Sequence, residues 1–283
     1  MWFTEKQTSN LGLNLKVKET LFCAQSEFQE IAILDTEQYG RMLVLDGMVQ
    51  TTVSDEFVYH EMIAHVPMRT HPQPQDILVI GGGDGGVVRE LCRYPYISSV
   101  TLAEIDGDVV ETARRFLPEI SLALDDPRVE IKVTDGVQFI SSAEEGYYDV
   151  VIIDSTEPMG PAEGLFNKAF YQDIFKALKK DGLVVAQTES PFVNASLISR
   201  VFHSINAIFP ICHLYLAPVP TYPSGLWSFT MGSKQYSPLT PRGEYLPEGI
   251  KYYTPEMHFS SFSLPLFVQE LVKDTPKNTE KEG

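Results

Sequence analysis

Positive charge is scarce in this chain: 22 Lys and Arg stand against 38 Asp and Glu, a formal net charge of −16 over 283 residues. A surface that tracks a phosphate backbone or an anionic membrane needs the opposite sign, so neither nucleic acid nor a membrane is an expected partner, and a cationic ligand is. Cysteine is scarcer still. Cys23, Cys92 and Cys212 lie far apart with no CxxC pair, which argues against a disulfide framework or a zinc knuckle and reads as reduced, buried thiols. No apolar run approaches the roughly 18 residues of a membrane span. The opening Met1-Trp2-Phe3-Thr4-Glu5-Lys6 lacks the basic-then-apolar pattern of a signal peptide. The cytoplasm is the expected location. Gly and Pro, 19 of each, are not in excess, so collagen-like and low-complexity classes drop out.

What is present is a change of hydrophobic period along the chain. From Leu11 to about Thr52 apolar residues alternate in short runs, the period of half-buried strands, punctuated by turns at Tyr39-Gly40 and Asp46-Gly47. Residues 1–54 therefore read as a small antiparallel β domain. A linking helix, 55–71, is expected to start with Ser54 or Asp55 as N-cap and to stop before Pro72. Beyond the Pro72-Gln73-Pro74-Gln75 link, short uniformly apolar strands alternate with helical segments, the pattern of parallel strands covered on both faces. The strands are Ile77–Ile80, Val100–Ile105, Val129–Val133, Val150–Ile153 and Leu183–Ala186, and a last pair, Ile211–Leu216 and Trp227–Met231, reads as an edge hairpin. One helix is expected over Phe170–Lys179, closed by Asp181-Gly182. Residues 55–272 thus form an α/β nucleotide-binding domain, and the polar tail 273–283 is expected to be disordered.

Chemistry gathers at the strand ends. Gly81-Gly82-Gly83-Asp84-Gly85-Gly86 follows a strand and opens a helix, and Gly81, Gly83 and Gly86 satisfy GxGxxG, which lets a backbone approach a ligand closely. Glu104 ends the next strand, where a carboxylate can accept both hydrogen bonds of a ribose diol. Asp135-Gly136 closes the third and Asp154 the fourth. A dinucleotide and an adenosyl sulfonium compound could both use this edge. Asp84, however, puts negative charge where a pyrophosphate would sit, and it would attract the bare ammonium of a decarboxylated donor. Asp154 and Glu157, three residues apart in Asp154-Ser155-Thr156-Glu157-Pro158-Met159-Gly160-Pro161, suit the two nitrogens of a diamine.

These segments, with Pro220-Thr221-Tyr222-Pro223-Ser224-Gly225, resemble the signature segments of the spermidine synthases, and the likeness extends to Phe28-Gln29-Glu30, Asp55 to Met62 and Lys251-Tyr252-Tyr253. The resemblance implies a Rossmann-like fold of the S-adenosylmethionine-dependent methyltransferase type, with a mostly parallel seven-stranded sheet and a small N-terminal β domain. It implies that Gln29, Gly81, Gly83, Asp84, Glu104, Asp135, Gly136 and Pro161 hold the methylthioadenosine part of decarboxylated S-adenosylmethionine. Glu104 would take the ribose, Asp135 the adenine amino group and Asp84 the amine of the aminopropyl arm. Tyr59, His60, Asp154, Glu157 and Tyr222 would line the acceptor-amine groove, with Asp154 as proton acceptor assisted by Tyr59. Many family members carry Asp in place of Glu157 and Gln in place of His60, so acceptor identity is where this chain departs from the pattern.

The implied reaction is aminopropyl transfer to putrescine, giving spermidine and methylthioadenosine, with agmatine, cadaverine or spermidine as other acceptors. An ordinary methyltransferase and a non-catalytic polyamine- or nucleoside-binding protein are the competing readings. The donor is already activated, so no cofactor and no metal is expected: His60 and His65 are five apart, about 140° around a helix, rather than the four of a zinc-binding pair. The resemblance also implies a homodimer or dimer of dimers, with the N-terminal hairpins in contact.

Overall fold

A computed structural model describes residues 1–155 and 168–273. Five N-terminal strands, β1 (Trp2–Lys6), β2 (Gly12–Gln25), β3 (Glu30–Thr36), β4 (Gly40–Leu45) and β5 (Met48–Thr52), form an antiparallel sheet in chain order. The β4–β5 turn has Asp46 at φ 47° and Gly47 at φ 79°, the doubly left-handed backbone of a tight hairpin. Strands β3 and β4 are not half-buried as their alternation suggested. Ile31, Ile33, Leu43 and Leu45 pack on Val109, Leu117 and Ile120 of the following domain, while Leu34, Met42 and Val44 are covered by Leu15 and Val17 of β2. Register shifts after Val17 and Thr20 accompany this packing of β2 over the sheet's other face. Strand β1 has no counterpart in the sequence reading, and Cys23, expected to be buried, is exposed on β2.

Helix α1 (Glu56–Thr70) follows at once. Asp55 occupies its N-cap position, as expected, but its carboxylate does not cap the helix: it accepts from the Thr52 hydroxyl at 2.6 Å and from the N–H and hydroxyl of Thr221 at 3.0 and 2.8 Å. Partners from two distant segments replace the local bond. The second sheet comprises β6 (Asp76–Gly81), β7 (Ser99–Glu104), β8 (Val129–Val133), β9 (Tyr148–Asp154), β10 (Leu178–Gln187), β11 (Ile211–Ala217) and β12 (Trp227–Ser233), in the order β11-β12-β10-β9-β6-β7-β8. Strands β10 to β8 run parallel, and the β11–β12 hairpin is antiparallel at one edge. Helices α1 and α2 (Gly86–Cys92) contribute to the core on one face; α5 (Gly136–Ser141), α6 (Lys168–Ala177) and α7 (Ala195–Asn206) contribute on the other. Helices α3 (Gly107–Phe116) and α4 (Pro118–Ser121) carry the N-terminal sheet, and α8 (Pro255–Ser261) and α9 (Leu266–Gln269) close the described chain.

Helix α6 ends two residues earlier than its periodicity predicts. Leu178 already pairs with Tyr148 of β9, and Lys179 reaches Asp76 and Asp149 at 2.7 and 2.9 Å, so long-range pairing outweighs helix propensity there. Residues 274–283 of the tail lie outside the described residues.

Candidate active site

Because the chain runs β6, β7, β8 on one side of β6 and returns to β9 on the other, a crevice opens at the carboxyl ends of β6 and β9, the place where open α/β sheets bind ligands. A cavity of about 240 Å³ occupies it. Gln29, Gly81, Gly83, Asp84, Glu104, Asp135, Gly136, Tyr59, His60, Asp154 and Tyr222 all line it, so the structure gathers residues read from seven separate segments. Glu157 and Pro161 lie outside the described residues. Among the described lining residues there is no Lys or Arg, whereas Glu5, Asp46, Asp84, Glu104, Asp135, Asp154 and Glu189 contribute carboxylates.

The glycines make room for side chains rather than for a phosphate. A Cβ on Gly82, which stands at φ 76°, would lie 2.5 Å from Asp154 Oδ2, and one on Gly86 would lie 2.2 Å from the His60 ring. Asp84 follows this turn, its Oδ1 accepting from the Gly86 N–H at 2.8 Å. At the end of β9, Asp154 Oδ1 accepts from the Tyr59 hydroxyl at 2.5 Å. Burial pushes the Asp154 carboxyl up to about 6; the Asp84 charge adds to the rise, and His60 and the Tyr59 hydroxyl offset part of it. Tyr59 itself is held well above the usual phenol range by burial and by Asp154. Its ring lies 5.5 Å from that of Tyr222, whose hydroxyl donates to the Gln50 carbonyl and whose ring packs edge-on against Trp227 at 4.7 Å.

On the other side of the glycine loop Glu104 ends β7, its Oε1 accepting from the Asp106 N–H at 2.9 Å and its Oε2 from the Gly83 N–H at 3.2 Å. Burial raises its carboxyl to about 7 against the lowering effect of those N–H groups. Gln29 donates to Asp106 Oδ2 at 2.9 Å, which ties the N-terminal sheet to this wall. Asp135 lines the cavity and also caps α5, accepting from the Val137 N–H at 2.7 Å.

Several lining residues escaped the sequence reading. Glu189 follows β10 as Asp154 ends β9, so the strand-end rule that found the others would have found it. It sits buried at φ 71°, a conformation rare outside glycine, with its N–H on Gln187 Oε1 at 3.1 Å and its Oε2 accepting from Asn194 at 3.1 Å. Glu5 had a different signal: it occupies the same face of β1 as Phe3, a charge in an inward position. Gln50 and Trp227 carried none. His60, Asp84 and Asp154 offer ligand atoms within 4.8 Å of one another, as do His71, Asp149 and Asp181, but at the second group the Lys179 ammonium already holds Asp149.

Comparison with known proteins gives a consistent picture. Residues 56–241 match the Spermine/spermidine synthase domain, and residues 1–53 match the Spermidine synthase tetramerisation domain. The chain is 54% identical over 274 residues to a polyamine aminopropyltransferase of Caldicellulosiruptor bescii, covering 96% of this chain and 98% of that one. It is 53% identical over 281 residues to one of Moorella thermoacetica, covering 99% of each. Among solved structures, a spermidine synthase in complex with the transition state analogue AdoDATO superimposes with a TM-score of 0.91 at 40% identity, covering 96% of this chain and 94% of that one. The spermidine synthase of Thermotoga maritima does so with 0.90 at 39% identity and the same coverage.

Proposed function

From the premise that the chain belongs to the spermine/spermidine synthase family and is an aminopropyl-transferring enzyme, we propose that it transfers the aminopropyl group of decarboxylated S-adenosylmethionine to putrescine, giving spermidine and methylthioadenosine. The observation that carries this reading is the pair Asp84 and Asp154, flanking the glycine turn in a cavity whose described walls hold no Lys or Arg. Both substrates are cations, and the wall is their counter-charge.

The acceptor amine binds as an ammonium and must lose a proton before its lone pair is available. Asp154 takes that proton, an O–H bond forming as the N–H bond breaks. Its raised carboxyl brings it close to the operating pH, where a general base works best. Tyr59 fixes Oδ1, and Oδ2 lies over Gly82. The nitrogen lone pair then attacks the aminopropyl carbon bonded to sulfur, the C–S pair returns to the sulfonium, and neutral methylthioadenosine leaves. Orientation supplies the remainder of the acceleration. Asp84 holds the amine of the donor arm; Gln29, Glu104, Asp135, Gly81, Gly83, Gly136 and Pro161 hold its nucleoside; Tyr59, His60, Asp154, Glu157 and Tyr222 line the acceptor groove. The reaction needs neither metal nor cofactor. The enzyme works as a homodimer or dimer of dimers through residues 1–53, a reading supported by the tetramerisation-domain match. We place it in the cytoplasm, a reading the three free cysteines support.

The deciding experiment incubates purified protein with decarboxylated S-adenosylmethionine and, separately, putrescine, agmatine, cadaverine or spermidine, with intact S-adenosylmethionine as a parallel donor. Methylthioadenosine and spermidine should appear with putrescine. Methylated amine from the intact donor, or no product with any amine, would overturn the reading.

A further inference from the structure

The nucleoside side of the cavity rests on a buried carboxylate to which the chemistry above gives no part. In Glu104-Ile105-Asp106-Gly107 the first acid ends β7 and the glycine opens α3, so Asp106 falls at the corner between strand and helix. It is 2% exposed, and its atoms face three ways. Its N–H donates to Glu104 Oε1 at 2.9 Å. Its Oδ1 caps α3, accepting from the Asp108 N–H at 3.1 Å. Its Oδ2 reaches the other sheet, accepting from the Ser26 hydroxyl at 2.6 Å and from Gln29 Nε2 at 2.9 Å, both in the turn between β2 and β3. The Ser26 hydroxyl in turn accepts from the N–H groups of Phe28 and Gln29 at 3.1 and 3.0 Å, so the turn is folded around the group that Asp106 holds. Phe28, Gln29 and Glu104 line the cavity, and Asp106 stands behind them.

Building on the aminopropyl-transfer reading, we propose that Asp106 is a positioning residue for the donor: from behind the wall it sets both Glu104 and Gln29 against the nucleoside, and so governs the donor's affinity and not the transfer step. A carboxylate and a primary amide on flexible stems lose rotamer freedom when they grip a ligand, and side chains that are already held lose less. The Asp106 N–H fixes one oxygen of Glu104 while the Gly83 N–H fixes the other. With one N–H of Gln29 committed to Oδ2, the amide retains its second N–H and its carbonyl for a ligand. Ser26 and Gln29 belong to the N-terminal sheet's turn and Asp106 to the catalytic domain, so one carboxylate assembles the donor site from both.

The test is Asp106→Asn in the full chain, with methylthioadenosine as the bound probe. An asparagine has one carbonyl where the aspartate has two acceptor oxygens, so it caps α3 or holds the turn but not both. The Kd of methylthioadenosine by calorimetry and the donor KM should each rise about tenfold. The acceptor KM and kcat at saturating donor should not change. A fall in kcat with the donor KM unchanged would place Asp106 in the transfer step, and an unaltered Kd would take it out of the donor site; either overturns the proposal. Ser26→Ala removes one bond to Oδ2 and leaves the cap, so it should raise the Kd in the same sense if Asp106→Asn folds poorly, and an unchanged Kd there counts equally against the proposal. Methylthioadenosine lacking its 2′-hydroxyl should lose less affinity from Asp106→Asn than methylthioadenosine itself, because the groups that grip the ribose are the ones disturbed; equal losses would reveal a general loosening of the fold and overturn the assignment. Failure of the functional reading shows separately, as a wild type that binds no methylthioadenosine and releases none with any amine, whereas failure of this inference leaves wild-type binding intact.

Discussion

The base proposed for the reaction, Asp154, is also a buried acid. Burial and the nearby Asp84 raise its carboxyl from 3.8 to about 6, which suits proton transfer but destabilises the fold once the group ionises. The sign follows from the shift: the penalty is absent below about pH 4, grows through the interval up to about pH 6 and is complete above it. Asp154→Asn keeps an oxygen for the Tyr59 hydroxyl and carries no charge. It should lose about 10²- to 10⁴-fold in turnover. It should also be more stable than wild type at pH 8, by an amount on the order of 3 kcal/mol. Thermal melts of the two proteins at pH 5 and pH 8 would check this, the gap opening with pH; a gap of constant size would contradict it. At this scale the sequence was informative wherever a side chain ended a strand, as Glu104 and Asp154 do. It was silent where a residue acts through a fold-dependent neighbour: nothing in Asp106 alone shows that Ser26 and Gln29 meet its carboxylate.

The glycine turn between β6 and α2 is the element on which the site depends, and its glycines answer to packing. Gly82→Ala would set a methyl group 2.5 Å from Asp154 Oδ2 at φ 76°. A displacement of the base by about 1 Å costs on the order of 10²-fold in rate, on top of about 1–2 kcal/mol of backbone strain. Gly146→Ala has φ 70° and open space around it, so it should show the strain without the rate loss. Equal rate losses in the two variants would remove the packing account. The order of strands and helices was legible because apolar runs and glycine turns mark them locally. The end of α6 was not, since Leu178 fits a helical stripe and only its pairing with Tyr148 makes it a strand. The same holds for β1, whose partner lies across a turn in β2, and for α8, where Thr254 caps the Met257 N–H without a long apolar stripe to announce the helix.

Across the whole molecule, one buried carboxylate fastens the C-terminal segment to the catalytic layer. Glu61 of α1 accepts from the backbone N–H groups of Lys251, Tyr252 and Tyr253 at 2.7, 2.7 and 2.8 Å, which gives the Lys251-Tyr252-Tyr253 segment a physical role that its sequence did not disclose. Glu61→Ala leaves three donors without that acceptor and should lower stability by about 3 kcal/mol or more, read as a fall in the urea midpoint; an unchanged midpoint would show that water replaces the carboxylate. The cavity is likewise a joint product of distant parts, with Glu5 and Asp46 supplied by the first sheet and Asp84, Glu104 and Asp154 by the second. Its negative charges therefore meet only when the two sheets dock, and their mutual repulsion opposes that docking. A polyamine in the surrounding solution is then a counter-ion for assembly of the protein as well as a reactant in its chemistry.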